Sequence, residues 1–418
     1  MPSIRNILYH IFSFSVIAIA FLLPAFPRTT GFFIALLTLV WLVDGHLISK
    51  LRLLAWQPLA LVFIAVYIAC LLWMIPTANL SNGLHNLVLK ISLLVFPLIF
   101  FAPGKLHLPP VRVVLRFFIL GCLLCSIILL SLAAYVYFST GKSHFTYTSL
   151  TEPLTIHPAF ISMYFIFCIF SLLLPFLESK VNHLFGSAFL SMAGIAFFML
   201  MIFLLSARQE IIALLLLLPA SFLYYFFRRK KLLTGIAISA TLAGGLLLLI
   251  LLVPEAKMRL QKMQSQLEEP YTNTAPNSVT MRKVIWQSAL EIIREHPLGV
   301  GTGDVNDVLK EKYLEKNLLW PLSENLNAHN QYLQLTIGLG LPGLLLFLFS
   351  LITSLKSAIV ARYYIYLLFL SLFLFCIITE CMLETEAGVV FFAFFNSLLA
   401  NETMMIRNNN AFRNTPLL

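Results

Sequence analysis

The chain has 418 residues, of which 60% are hydrophobic and only 11% are charged. A soluble domain is about half apolar and about a quarter charged, so this composition excludes an ordinary soluble protein and indicates an integral membrane protein. The formal net charge of +10 would also suit a nucleic-acid-binding protein, so the positions of the basic residues decide between the two interpretations.

Apolar segments long enough to cross a membrane recur along most of the chain, since a helical span needs about 20 such residues. The first segment, residues 7–26, lacks the A-x-A-like site of a cleaved signal peptide and is interpreted as an uncleaved helix. The fold class predicted is an all-α polytopic membrane protein with about 12 transmembrane helices and one large, partly helical periplasmic loop. The predicted spans lie near residues 7–26, 30–46, 56–75, 84–102, 113–138, 158–177, 186–206, 210–227, 233–253, 331–354, 363–381 and 386–401.

Lysine and arginine concentrate in alternate connections between these spans, at residues 44–54, 103–112, 178–185, 228–231 and 355–362. By the positive-inside rule these connections and both termini are cytoplasmic. The net charge is therefore a topology signal, and nucleic acid is not predicted as a partner. The six cysteines lie in or beside apolar runs without disulfide or metal-ligand spacing, so no metal site is predicted.

One connection on the predicted outer side, residues 254–330, is far longer than an ordinary loop. It divides the chain into spans one to nine (1–253), the periplasmic loop (254–330), and spans ten to twelve with a cytoplasmic tail (331–418). Apolar periodicity predicts helices over 281–296 and 304–316 within the loop, the second with Asp304 as its N-cap. The intervening "PLGVGTGD" (297–304) is interpreted as a turn-rich hinge.

Ionisable residues at the ends of membrane spans are functional candidates by default. Arg208 and Glu210 interrupt two apolar spans at a tight outer turn, where Arg208 either snorkels to lipid headgroups or grips a phosphate group while Glu210 orients it. Arg282 begins the first loop helix, where the helix N-terminus would add positive potential for an anion. As an alternative, it is an ordinary solvated loop arginine.

His329 and Asn330 stand where the loop re-enters the membrane, before a span that contains Gly338, Gly340 and Gly343. A histidine there is either a structural hydrogen-bonding residue or a general base that works near neutral pH. Further candidates are Glu380 and Glu384, predicted on one helix face, and His157 at the outer start of span six. Lys90 lies inside span four, where a buried ion pair or a substrate phosphate would explain it equally well.

His329-Asn330, nine residues, Gly340, two residues and Gly343 together resemble the H-[NSQ]-x9-G-x-x-[GTY] signature of the bacterial O-antigen ligase and polymerase superfamily. "SARQEIIALLL" after span seven, "RKVIWQSALEIIREHPLGVGTGD" in the loop and "HPAFISMYF" before them are similar to other parts of that family. One departure is that the usual Ser-Arg pair is here Ala207-Arg208. The first five spans resemble those of the family only in their general apolar character.

The resemblance implies a helical membrane glycosyltransferase, without cofactor or metal, that acts at the periplasmic face of the inner membrane. Its donor would be a glycan on undecaprenyl diphosphate, and its acceptor a lipid A-core sugar in a ligase or another lipid-linked glycan in a polymerase. If the roles of the family's motif residues apply to the matching positions here, Arg208 and Arg282 would hold the diphosphate and His329 would lie near the reacting centre. Either His329 acts as the base, or Glu380 or Glu384 does while His329 binds the acceptor.

A ligase is favoured because only one outer loop is large, whereas polymerases commonly have two sizeable loops. A secondary transporter or lipid flippase is a remoter alternative with a similar number of helices. Transport would predict functional charges near the middle of the membrane in interrupted spans, but the candidates here cluster at the outer ends of spans.

Overall fold

The structure is a computed structural model that describes residues 4–177, 182–252, 258, 271–273 and 277–414. Across these residues all regular secondary structure is helical, which confirms the predicted all-α class. Much of the first part of the predicted loop, 254–276, and part of the predicted inner connection 178–185 lie outside the described residues.

The chain forms two compact units, each assembled from separate segments. The first unit comprises Met1–Asp44, Lys105–Leu260 and Arg362–Cys376. Its helices are α1 (Ile4–Leu22), α2 (Pro27–Val43), α7 (Val111–Thr140), α8 (Tyr147–Thr151), α9 (Pro158–Leu177), α10 (Ala188–Leu205), α11 (Arg208–Arg228), α12 (Leu232–Leu252) and α17 (Tyr364–Cys376), with a 3-10 turn at Glu152–Leu154.

Helix α9 is the central element of the first unit. Its sequence is apolar on every side, and 83% of its most apolar 18-residue window is buried, as expected for a helix surrounded by others. It packs against α7, α10, α11 and α17. Aromatic edge contacts reinforce this packing, including those that join Phe118 to Tyr164 and Phe167 to Phe369.

The second unit comprises Gly45–Gly104, Gln261–Ala361 and Ile377–Leu418. It therefore combines the loop with helices from early and late parts of the chain, and does not follow the order of the three predicted segments. Its helices are α3 (Leu47–Ala55), α4 (Pro58–Leu72), α5 (Leu80–Lys90), α6 (Ser92–Phe101), α13 (Ser278–Glu295), α14 (Val305–Glu315), α15 (Leu319–Ser323), α16 (Gln331–Ala361) and α18 (Glu386–Asn414), with a 3-10 turn at Met382–Glu384.

The apolar core of the second unit extends from its long helices into the loop. Helix α18 packs on α6 and α16, where Phe394 makes edge contacts with Phe96 and Phe100. The predicted loop helices form as α13 and α14, and their buried faces share one cluster with Ile337 of α16. The loop is thus packed against the start of α16 and has no separate core of its own.

Eight helices among the described residues are long and apolar enough to cross a membrane, or up to nine if α2 and α3 count as one broken span. These findings define a multi-pass membrane protein. The shorter apolar helices are Pro58–Leu72, Leu232–Leu248 and Tyr364–Cys376. Each of the twelve predicted segments coincides with one helix or with neighbouring helices, but the count of twelve spans stays a prediction.

Candidate functional site

Arg282 and Glu380 form an ion pair in the second unit, with 2.6 Å between Arg282 Nη2 and Glu380 Oε1. The side chains are only 27% and 13% exposed, so the pair is partly screened from water. Arg282 Nε also donates to the Thr379 carbonyl (3.3 Å), and Nη1 donates to the Ser278 carbonyl (3.4 Å). A guanidinium carries five N–H donors, and these contacts leave some of them available to an anion.

His329 lies on the other side of the Glu380 carboxyl group. Its Nδ1 is 3.5 Å from Glu380 Oε2, while Arg282 holds the other oxygen of the same group. The backbone of His329 has φ of +43°, in the left-handed region, and its N–H donates to Asn327 Oδ1 (3.0 Å). The structure therefore brings together Arg282, Glu380 and His329, and we call these three residues the Glu380 cluster.

Asn330 has a local structural role at the start of α16. Its Oδ1 accepts a hydrogen bond from the Leu333 N–H at 3.1 Å, which is the geometry of a helix N-cap. Asn330 thereby sets the point at which the chain turns from the loop into α16, directly after His329.

Glu384 lies in different surroundings from Glu380, and the prediction that both stand on one helix face is wrong. Helix α17 ends at Cys376, and Glu384 belongs to a 3-10 turn, because the chain between α17 and α18 leaves the helical path. Glu384 Oε2 pairs with Lys90 Nζ at 2.8 Å, with the two side chains 14% and 12% exposed. Of the two explanations open for Lys90, the structure shows the buried ion pair.

Gln331 holds Glu384 in place and is a site residue that the sequence did not reveal. Its Nε2 donates to Glu384 Oε1 (3.2 Å) and its Oε1 accepts from the Leu383 N–H (2.7 Å). Its own backbone N–H donates to the Ile377 carbonyl (3.0 Å), and the residue is 1% exposed. The sequence feature that could have identified Gln331 is its position as a third polar side chain, directly after His329-Asn330, at the start of an apolar span.

A small cavity adjoins the Lys90–Glu384 pair, and we call it the Lys90 cavity. It has about 40 Å³ of water-accessible space, which is room for about three water molecules. Its polar lining consists of Asn86, Lys90, Thr302, Asn306, Gln331, Gln334 and Glu384, and its apolar lining includes Val66, Leu93 and Leu339.

The glycine signature in α16 has a structural cause. Gly340 has φ of +66°, and a Cβ there would lie 2.3 Å from the carbonyl carbon of Leu298. Three hydrogen bonds join the loop backbone to this part of α16, from Val300 N–H to the Ile337 carbonyl (2.9 Å), from Gly301 N–H to the Gly338 carbonyl (3.0 Å) and from Leu341 N–H to the Pro297 carbonyl (2.9 Å). The segment 297–304 is turn-rich, as predicted, and is held against α16, while its role as a hinge stays a prediction.

The same segment is anchored to the chain between α4 and α5. Trp73 Nε1 donates to the Leu298 carbonyl (2.7 Å), and the Thr302 hydroxyl donates to the Cys70 carbonyl (2.6 Å). Asp304 is at the N-terminus of α14, but its side chain does not cap that helix as predicted. Its carboxylate instead accepts from the N–H groups of Ala78 (2.8 Å) and Asn79 (2.7 Å), just before α5.

An ionic network joins α13 to α14 within the loop. Lys312 Nζ lies 2.9 Å from both Glu295 Oε1 and Glu315 Oε2. Hydrogen bonds with Glu315 and then with Glu295 raise the pKa of Lys312, and the same contact lowers the pKa of Glu315. Burial raises the pKa of Tyr313, which packs in the core cluster of the loop.

Arg208, Glu210 and His157 belong to the first unit. Helix α10 ends at Leu205 and α11 begins at Arg208, with Ser206 in the left-handed region at φ of +48°, so the predicted tight turn is present. Glu210 is 1% exposed. The His157 Nδ1 accepts from the Ala159 N–H (3.3 Å) at the start of α9.

Within the part of the chain that the structure describes, no three His, Cys, Asp or Glu side chains gather as a metal-ligand set. Metal independence itself stays a prediction. The cysteines at 70, 122, 125, 168, 376 and 381 form no disulfide bond with one another, and all six are buried.

The fold and site together define a multi-pass helical membrane protein with a partly buried cluster of ionisable side chains beside a helical loop. Residues 192–348 match a family model described as O-antigen ligase. This match confirms the resemblance to the O-antigen ligase and polymerase superfamily, whose members are membrane enzymes of the glycosyltransferase type. No curated protein matches the chain.

Proposed function

We propose that this protein is an O-antigen ligase, which transfers a glycan from undecaprenyl diphosphate to a sugar of lipid A-core. The observation that carries the proposal is the Glu380 cluster, in which Arg282 and His329, both inside the region matched to the O-antigen ligase family, meet the carboxylate of Glu380, which lies beyond that region. The reaction would take place at the periplasmic face of the bacterial inner membrane, with both termini in the cytoplasm, as the distribution of basic residues favours.

The proposed reaction is a direct displacement at the anomeric carbon of the donor. The acceptor oxygen forms a bond to that carbon as the bond to the diphosphate oxygen breaks, and undecaprenyl diphosphate leaves with the electron pair. Direct attack inverts the anomeric centre. No metal or other cofactor is required in this scheme, because guanidinium groups can stabilise the negative charge that grows on the leaving group.

Each site residue has an assigned role in this scheme. Arg282 binds the diphosphate together with Arg208, and Glu210 orients Arg208. If His329 Nδ1–H faces Glu380, then Nε2 is left as the acceptor for the proton of the attacking hydroxyl. Glu380 acts through its neighbours, because it orients both Arg282 and His329. Asn330 and His157 shape the backbone on which the site is built.

A reconstituted transfer reaction tests the proposal. Purified protein in lipid nanodiscs is given lipid-linked glycan and lipid A-core, and the products are separated by gel and identified by mass. We expect transfer by the natural protein, and a loss of at least ~100-fold in His329→Ala, as for removal of a general base. Transfer that survives His329→Ala would exclude the proposed base, and transfer unaffected by both Arg208→Ala and Arg282→Ala would exclude the diphosphate-binding role.

The alternative function within the same superfamily is a polymerase of O-antigen or capsular polysaccharide. Both activities use lipid-linked glycans, and the family match accommodates either one. Deletion of the gene separates them. Loss of a ligase leaves long lipid-linked polymer unattached, whereas loss of a polymerase leaves single repeats attached to lipid A-core.

A further inference from the structure

We infer that the Lys90 cavity is a binding site for the hydroxyl-bearing edge of the acceptor sugar, an inference that rests on the proposed function. The cavity presents amide groups from Asn306, Gln331 and Gln334 beside the ion pair of Lys90 and Glu384. Amides, ammonium and carboxylate groups offer donors and acceptors side by side, as a sugar hydroxyl requires, since it both donates and accepts.

The charge of the cavity favours a neutral ligand over an anionic one. The Lys90 ammonium is 2.8 Å from the Glu384 carboxylate, so the pair is neutral as a whole. Arg282, whose side chain is 27% exposed, lies elsewhere in the same unit and is better suited to a phosphate group. A ligand with hydroxyl groups and no charge therefore fits the Lys90 cavity better than a second phosphate.

The size of the cavity matches the edge of a ring and excludes an entire glycan. Its water-accessible space has room for about three water molecules, and sugar hydroxyl groups of similar size can occupy the same space. The apolar wall at Val66, Leu93 and Leu339 offers a surface for the C–H groups of the same ring. Sites of this kind combine an apolar wall with a small number of placed polar groups.

Two residues that line the cavity belong to the same stretch of chain as His329. Gln331 follows His329 by two positions and lines the cavity with its side chain. Gln334 also lines the cavity, and its Oε1 accepts from the N–H of Ala328, directly before His329 (3.0 Å). A sugar bound in the cavity would therefore be held by the segment that carries the proposed base, which favours the acceptor over the donor glycan.

A purely structural role does not account for the ion pair of Lys90 and Glu384. Replacing a buried ion pair with apolar residues of similar volume is often neutral or stabilising, so packing alone does not require Lys90 and Glu384. Ionisable groups in a membrane span are costly and usually serve a function. The double variant Lys90→Met with Glu384→Leu is therefore expected to fold while it removes the two charged groups of the cavity.

The test is a binding measurement with the full-length protein in nanodiscs and without donor. The probe is the core oligosaccharide released from lipid A, titrated and followed by ligand-observed NMR. We expect at least ~10-fold weaker binding by the Lys90→Met/Glu384→Leu variant, because several hydrogen bonds are lost. The matched control is Lys312→Met with Glu295→Leu, which removes an ion pair of similar length within the loop and should bind as the natural protein does.

The outcomes separate this inference from the proposed function. Binding by the natural protein without any transfer would contradict the proposed function and leave the sugar site supported. Equal binding by the natural protein and the double variant, or no binding by either, would overturn the sugar site. Stronger binding of a free donor-type repeat oligosaccharide than of the core would also overturn the assignment to the acceptor.

A second variant covers the case in which the double variant does not fold. Asn306→Leu changes the cavity wall and leaves the ion pair intact. It should weaken oligosaccharide binding several-fold and, in the transfer reaction, raise the KM for acceptor while the KM for donor stays constant. Unchanged binding and unchanged KM for acceptor in this variant would count against the sugar site.

Discussion

At the scale of single residues, Glu380 has the most specific surroundings. One of its oxygens holds the Arg282 guanidinium at 2.6 Å, and the other lies 3.5 Å from His329 Nδ1. At 3.5 Å the contact of His329 Nδ1 with Glu380 is too long to be a hydrogen bond, but active-site hydrogen bonds often tighten only when the reactants bind, so this distance remains compatible with catalysis. Glu384 is engaged with Lys90 and Gln331 instead. The two glutamates therefore have separable roles, although the sequence analysis treated them as one pair.

Replacing Glu380 tests its role as a positioning residue. In Glu380→Gln, Arg282 loses its charged partner and His329 loses the carboxylate that orients its ring. We expect kcat to fall at least ~10-fold, as for loss of the group that orients a catalytic base, while the KM for acceptor changes little. Steady-state transfer kinetics provide both constants.

Glu384→Gln is the matched control, because it makes the same chemical change four positions away. It should raise the KM for acceptor more than it lowers kcat, since Glu384 lines the Lys90 cavity. If both variants lower kcat equally and leave the KM for acceptor unchanged, the division of roles between the two carboxylates is wrong.

All three members of the Glu380 cluster could be named from the sequence, but their pairing could not. Arg282, His329 and Glu380 were singled out because ionisable residues near a membrane are costly. The partner of Arg282 is 98 positions away, and it is brought near by the break in helical structure between α17 and α18. Helical periodicity could not anticipate that break, because an i, i+4 relation between Glu380 and Glu384 holds only if α17 continues through both residues. Gln331 was missed since its neutral amide gave no charge signal.

At the scale of elements, the contact between the loop segment 297–304 and the start of α16 determines where the loop lies. Backbone hydrogen bonds join the two segments, although neither is a strand. They can form because Gly340 interrupts regular helical geometry and because the two backbones approach closely at Leu298. The sequence indicated the glycines and the loop helices correctly. It could not indicate that the glycines serve this contact, which involves residues distant in the chain.

Gly340→Ala should destabilise this contact. A Cβ at Gly340 would lie 2.3 Å from the Leu298 backbone, and the positive φ would cost a further ~1 kcal/mol or more for an L-residue. We expect a lower thermal unfolding midpoint, and faster cleavage of the loop by protease in nanodiscs. Both follow from release of the segment 297–304.

Gly244→Ala is the matched control for that experiment. Gly244 is in α12, no heavy atom lies within 4 Å of the position that its Cβ would occupy, and alanine favours helix. This variant should unfold at the same temperature as the natural protein or slightly higher. Equal stability and equal protease resistance in Gly340→Ala would show that the close approach at Leu298 does not hold the loop.

At the scale of the whole molecule, the proposed site residues come from both compact units. Arg208 and Glu210 belong to the first unit, and the Glu380 cluster belongs to the second. The family match includes parts of both, since residues 192–348 run from α10 through the loop into α16. The sequence placed helices at nearly all of their positions, because apolar length is a strong local signal. The grouping of helices into units depends on packing between distant segments, and no local pattern carries that information.

A double-mutant cycle tests whether Arg208 and Arg282 act on one diphosphate, and it requires no assumption about the distance between them. Charge on a single leaving group is stabilised jointly, so removing either guanidinium should weaken what the other contributes. We expect Arg208→Ala and Arg282→Ala each to lower kcat/KM by at least ~100-fold, as for loss of one group that stabilises developing charge. The double variant should lose much less than the product of the two separate losses. If the losses multiply, the residues act independently, and Arg208 would then be assigned to lipid headgroups, the alternative that its place at the end of a span allows.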